Sequence, residues 1–135
     1  MKRYVVGFLF NHNNEVCLIE KNRPDWQRGR LNGVGGHIEE GESPIAAMNR
    51  EFLEEAGVCA IWRQFCLIHG SQYELYCFTS NAFQDEPKTM TDERISWYPV
   101  NNLPPSIIAS LTWIVPMANY KIDITAVVEH ESETA

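Results

Sequence analysis

Three glutamates, Glu51, Glu54 and Glu55, stand at i, i+3 and i+4, a spacing that on a helix projects all three carboxylates from one stripe. Anions so placed repel one another unless cations neutralise them. Glu39, Glu40 and Glu42 crowd the same region, which holds one base, Arg50. Hard oxygen ligands of this kind suit magnesium, with manganese as a substitute; magnesium keeps several waters while bridging protein carboxylates to substrate phosphates. Beside such cations phosphate charge is neutralised, water becomes a usable nucleophile and a free carboxylate takes its proton, which is the chemistry of phosphate anhydride hydrolysis. The same triplet on an ordinary solvated helix is a charged surface face. The preceding Gly35-Gly36-His37-Ile38-Glu39-Glu40-Gly41-Glu42 favours the site, because it leads a glycine-bearing turn with further carboxylates directly into the helix.

The elements that must position these groups are readable in outline. Ser43-Pro44 is a helix start, an N-cap hydroxyl followed by proline at the first helical position, and Gly57 is a fitting C′ stop, so the helix spans about Pro44 to Ala56. Ile45, Met48, Phe52 and Ala56 make a neighbouring apolar stripe, which lets the helix bury one side while the acids face a cleft rim. Tyr4 to Phe10 and Val16 to Ile19 read as a strand pair joined by the Asn-rich break between them. Arg23 to Arg30 suits a surface loop, and the closely spaced Gly33, Gly35 and Gly36 mark backbone passing close to something. Val58 to Ile68, Tyr73 to Thr79 and Ile95 to Val100 read as further strands, separated by Gly70-Ser71 and by the polar loop Asn81 to Arg94. Pro104-Pro105 introduces a second, apolar helix to about Met117, in which Trp113 is expected to pack in the core. From about Asn119 one strand-like stretch, Ile122 to Val128, precedes a flexible acidic end. Strands predominate before the final helix, so the expected class is α+β or a mixed α/β sandwich, in a single domain over residues 1–135.

Composition narrows the partners. The chain has 44% apolar residues, enough for a core at 135 residues, and a formal charge of −7. With no run of Lys or Arg, bulk nucleic acid is not an expected partner; a small nucleotide substrate is. Cys17, Cys59, Cys66 and Cys77 each lie in an apolar stretch without Cys-x-x-Cys pairing, which reads as buried free thiols in a reducing compartment. The apolar start is too short for a signal peptide, and Ile107 to Met117 is too short to span a membrane. A soluble cytoplasmic monomer or homodimer is expected.

Gly36 to Val58, GHIEEGESPIAAMNREFLEEAGV, resembles the Nudix box at every fixed position: Gly36, Glu42, Arg50, Glu51, Phe52, Glu54, Glu55, Gly57 and Val58. The resemblance implies the Nudix α/β/α sandwich with a mixed central sheet, and hydrolysis of a nucleoside diphosphate linked to another moiety. It implies metal ligation by Glu51, Glu54 and Glu55 with the Gly35 carbonyl, and an Arg50 that orients Glu42 and its neighbours. Without the box, Arg50 reads as an i,i+4 partner of Glu54 and Glu42 as a helix N-terminal acid. Glu51 and Glu93 are both candidates for the base, and Glu93 otherwise reads as a solvated loop acid. A weaker resemblance to MutT-type hydrolases of oxidised purine nucleoside triphosphates runs through Gly29 to Gly36, Asp92-Glu93-Arg94, Trp97 and Leu103-Pro104. It implies that Asn32 bonds a base edge, that Trp26 covers the base, and that Lys21, Arg23 or Arg28 reaches the phosphates; Asn32 is otherwise a turn residue. Some relatives carry an acidic pair just before a tryptophan like Trp113, and Ala109 and Ser110 stand there instead. Tyr73 replaces the proline of ADP-ribose hydrolases, while Tyr76 fits the tyrosine of dinucleoside polyphosphate hydrolases and equally an ordinary strand.

Overall fold

A computed structural model describes residues 1–120 and 126–130. β-Branched and aromatic residues form the long strand β1 (Lys2–Phe10), which a turn at residues 11–14 folds back onto β2 (Glu15–Glu20). The turn is tied by Asn11, whose Oδ1 accepts from the amides of Asn13 and Glu15. Two short strands follow, β3 (Leu31–Asn32) and β4 (Val34–His37), then helix α1 (Pro44–Ala56), β5 (Arg63–His69), β6 (Tyr73–Ser80), β7 (Ile95–Pro99), helix α2 (Leu111–Ala118) and β8 (Ala126–Glu129). The sheet runs β3-β2-β1-β6-β5-β8, with β4 also paired to β1 and β7 to β2. It is mixed, since β1 lies parallel to β6 and β5 parallel to β8 while the other pairs are antiparallel.

Strand alternation then divides the core in two. From β1, Val5 and Leu9 face α1 and join Cys17, Ile19, Val34 and Phe78 against Ala47, Met48, Phe52 and Ala56. Val6, Phe8 and Phe10 face the other way, with Val16, Leu18 and Cys77 against Leu111, Ile114, Val115 and Ala118 of α2. One helix on each sheet face makes an α/β/α sandwich.

Helix α1 has the expected bounds, but Ile45 lies outside its buried stripe and Ala47 inside it. Helix α2 starts only at Leu111. The chain before it is taken up in bonding to β3, where the Leu31 amide donates to the Ser106 carbonyl and the Ile108 amide to that of Leu31. Trp113 is 37% exposed, because Leu111, Ile114 and Val115 occupy the sheet-facing side of so short a helix. Cys59 is exposed, lying in irregular chain before β5, which begins at Arg63. The closely spaced glycines lead into and through strand β4, paired with β1 from Tyr4↔His37 to Gly7↔Val34, and the backbone that Gly35 lets approach is that of Val5. The strand expected from Ile122 is described as β8 from Ala126; its first part and the acidic end lie outside the described residues.

Candidate active site

The site is built where β4 runs into α1. A Cβ on Gly35 would strike the Val5 carbonyl of β1, so only glycine lets the two strands pair so closely here. At Gly36 a Cβ would lie 2.5 Å from Glu51 Oε1. The missing side chain is thus the space that the Glu51 carboxylate occupies. Helix α1 is fixed at both ends. Ser43 Oγ accepts from the Ala46 amide at 3.2 Å, Pro44 opens the first turn, and Gly57 closes the helix at φ 75° with its amide on the Leu53 carbonyl.

Arg50 is the hub of the acidic cluster. Its Nε and Nη2 donate to both oxygens of Glu42 at 2.7 and 2.9 Å, a bidentate pair. Nη1 donates to Glu51 Oε1 at 2.9 Å and to Glu54 Oε2 at 3.4 Å, and Nη2 also reaches the His37 carbonyl at 2.9 Å. Arg50 therefore ties strand β4, the turn and the helix together, and its pairing with Glu54 is the weakest of these bonds. The guanidinium, with help from the Glu39 amide, holds the Glu42 carboxyl down at about 2.

The three helix carboxylates differ in environment. Glu54 is the most open, with 57% of its side chain exposed. Burial pushes Glu51 up, against the pull of Arg50. Burial pushes Glu55 up to about 7, opposed by the Lys21 ammonium and aided by Glu51, Glu93 and Glu54. Glu55 Oε2 is buried and has no hydrogen-bond partner. An orphaned buried carboxylate oxygen beside other carboxylates is the arrangement a cation would complete. Among the described residues no three acidic, imidazole or thiolate groups form a ready-made cage.

Glu93 is no solvated loop acid: its side chain is 4% exposed, beneath the chain that follows β2. Oε1 accepts from Lys21 Nζ at 3.1 Å, and Oε2 from the amides of Asn22 and Arg23 at 2.7 and 3.3 Å. Arg23 is further paired with Asp92, at 2.6 and 3.2 Å. The loop before β7 thus anchors the chain that carries the expected phosphate-binding cations.

A cleft of about 660 Å³ opens beside this cluster and brings together Lys21, Arg23, Trp26, Asn32, Gly35 and Gly36. Arg28 is not among its lining residues; it points to Asp25, in the short 3-10 turn Asp25–Gln27, where the i,i+3 spacing pairs the two on the surface. Tyr4 and His37, their ring centroids 4.5 Å apart and their planes tilted by 44°, also line it, as do Ser110, Leu111 and Ile114. Asn32 Oδ1 accepts from the Gly33 amide at 2.7 Å, and Nδ2 donates to Gln27 Oε1 at 3.1 Å. Gln27 carries no signal in the sequence, since a single loop amide becomes notable only through what it touches. Tyr76 lies away from the cleft, its hydroxyl on Glu74 and its ring under Arg3. A second cleft, about 730 Å³, sits near the far ends of β1 and β6 and contains none of the box acids.

A mixed sheet held between two helices is also the architecture of solved proteins. The chain has a TM-score of 0.77 to a MutT NUDIX hydrolase from Burkholderia pseudomallei, at 17% identity over 87% of this chain and 98% of that one. Its TM-score to the NUDIX domain of Shewanella oneidensis NrtR, solved with ADP-ribose, is 0.72, at 19% identity over 86% of this chain and 84% of that one. At such identities the likeness is one of fold. A family model described as NUDIX domain matches residues 1–114, and the chain belongs to the Nudix family. It is also 35% identical over 69 residues, 51% of its length, to the 8-oxo-dGTP diphosphatase of Escherichia coli strain K12; the match spans about half, 52%, of that relative.

Proposed function

We propose that the chain is a magnesium-dependent hydrolase of the pyrophosphate linkage in nucleoside triphosphates or other nucleoside diphosphate derivatives, a MutT-like (d)NTP or 8-oxo-(d)GTP pyrophosphatase. The observation that carries this reading is the partnerless buried Oε2 of Glu55, set among the acidic side chains that Arg50 and Gly36 hold in place. Glu51, Glu54 and Glu55, with the Gly35 carbonyl, would hold the divalent cation. When bound it supplies charge neutralisation at the phosphates and a Lewis acid.

The remaining work falls to the protein. Arg50 fixes the rotamers of Glu42 and Glu51 before substrate arrives, so the carboxylates need not reorganise during reaction. Lys21 and Arg23 line the cleft and meet the phosphates, while Trp26 and Asn32 meet the base. Both Glu93 oxygens are already taken by three donors, whereas Glu51 accepts through Oε1 alone among the described residues. That difference favours Glu51 as the proton acceptor and Glu93 as the anchor of Lys21 and the Arg23 backbone.

A second reading, a nucleotide-sensing module without turnover, is kept because the NrtR domain shares the fold and was solved with ADP-ribose. The box carboxylates are all present here, which favours catalysis. A panel of canonical and oxidised nucleoside triphosphates, nucleotide sugars and dinucleoside polyphosphates, with magnesium or manganese, separates the two. Release of pyrophosphate or phosphate with product identity assigned supports the hydrolase; saturable binding with no turnover at high protein concentration supports the sensor.

A further inference from the structure

Cys66 and Cys77 are opposite partners in the antiparallel pair of β5 and β6. Residues opposite one another in such a pair have Cα atoms about 4.5 or 5.5 Å apart, and both spacings fall inside the range of about 4.4–6.8 Å that a disulfide spans. The two side chains also share a face, since both belong to the core between the sheet and α2. A bulge brings this about. Regular pairing continued from Gln64↔Phe78 would set Phe65 opposite Cys77, and the extra residue puts Cys66 there instead. The two thiols interact directly: a hydrogen bond from Cys77 pulls the Cys66 thiol below its ordinary value, and that bond together with burial pushes Cys77 well above its own. The other cysteines are placed differently. Cys17 lies on the α1 side of the sheet, where burial pushes its thiol up to about 12, and Cys59 is exposed.

We infer that Cys66 and Cys77 form a redox-active dithiol, a modification site that hydroperoxides convert to a cross-strand disulfide. The Cys66 thiolate attacks one peroxide oxygen and the O–O bond breaks. The departing hydroxide takes up the proton that the Cys66 thiol released, giving water, and Cys66 becomes a sulfenic acid. The Cys77 thiol then attacks that sulfur, the S–S bond forms, and the sulfenic oxygen leaves with the Cys77 proton as a second water. Two thiols are oxidised by two electrons in all, and one peroxide is reduced. The roles follow from the pairing, because the thiol that accepts the hydrogen bond carries the thiolate character and its donor resolves the intermediate. Access comes from the sheet edge. Strand β5 is flanked there by β8, a four-residue strand whose Ala126 pairs with Cys66. A short edge strand opens locally at low cost, and a methyl group is a small cover. None of this chemistry uses the box acids, so the inference stands apart from the hydrolase reading.

The test uses the full chain carrying Cys59→Ser, which leaves three thiols. The folded protein is treated with hydrogen peroxide for the time that oxidises Cys59 in wild type, then denatured, alkylated and mapped by mass spectrometry without reduction. The expected result is a loss of two hydrogens in mass, a peptide pair crosslinked through Cys66 and Cys77, an alkylated Cys17, and full reversal by dithiothreitol. A chain in which Cys66 and Cys77 both stay alkylatable, or in which either is joined to Cys17, overturns the inference. In folded Cys77→Ser the sulfenic acid has no resolving thiol, so dimedone should label Cys66 there, and absence of that label overturns the order of attack. Should that variant fail to fold, the mapping in the Cys59→Ser chain decides alone.

Discussion

At the residue scale the site rests on a few charged contacts whose removal gives distinct results. Glu93 is buried against Lys21, so Glu93→Gln leaves a largely buried ammonium without its countercharge. Breaking such a pair costs about 3–5 kcal/mol, so the melting temperature should drop markedly in a thermal scan. A Glu93→Gln protein with unaltered melting and no turnover would instead make Glu93 the base. Glu42 gives a pH signature. Its carboxyl is held at about 2 when folded, below its ordinary value of 4.5, so its contribution to stability is complete above the ordinary value and is lost as pH falls toward 2. Glu42→Gln should therefore lower the urea midpoint at pH 7, and the deficit should shrink as pH is lowered through that window. A deficit independent of pH would rule out charge as the cause.

At the scale of elements, the turn from β4 into α1 places the chemistry. Gly36→Ala sets a methyl on the Glu51 carboxylate. It should cost activity out of proportion to stability, about a hundredfold in kcat/KM for a displaced catalytic carboxylate, read by steady-state kinetics beside a melting curve. Gly57→Ala acts differently, since its φ of 75° strains any L side chain and the added Cβ meets Met90 Sδ at 2.9 Å. It should destabilise by about 1 kcal/mol or more in chemical denaturation. Helix α1 was legible in the sequence because its N-cap, proline and terminal glycine are local signals that act within a turn or two. The stripe of acids was legible for the same reason. Strand β4 was legible only as a close approach of backbone, because Gly33, Gly35 and Gly36 do not say what is approached, and the Val5 carbonyl that Gly35 meets lies some thirty residues away. The late start of α2 follows from bonding to Leu31 many residues away, which no local pattern encodes, and the exposure of Trp113 follows from the shortness of the helix that remains. Gln27 became visible only through Asn32 and Gly33.

At the scale of the whole molecule, the sheet and its two helices bring the basic chain after β2 next to the acids of α1, close enough for the Lys21 ammonium to act on Glu51 and Glu55. Lys21 and Arg23 come from the chain after β2, the acids from α1, and Glu93 from the loop before β7 that ties the two sides together. No described helix is long and apolar enough to cross a membrane. A cation that binds only the folded chain should stabilise it by mass action, about 2.7 kcal/mol at a hundredfold excess over Kd. Magnesium should thus raise the melting temperature by several degrees, and Glu55→Gln should abolish most of that rise. The most direct test of the account is magnesium-dependent turnover of a nucleoside triphosphate by wild type and Glu54→Gln, with products identified. Glu54 is exposed enough for the substitution to leave folding intact. Wild type is expected to cleave the pyrophosphate linkage, and Glu54→Gln to lose at least about a hundredfold in turnover at unchanged melting temperature. Equal turnover by both folded proteins, or turnover undiminished by chelator, would contradict it.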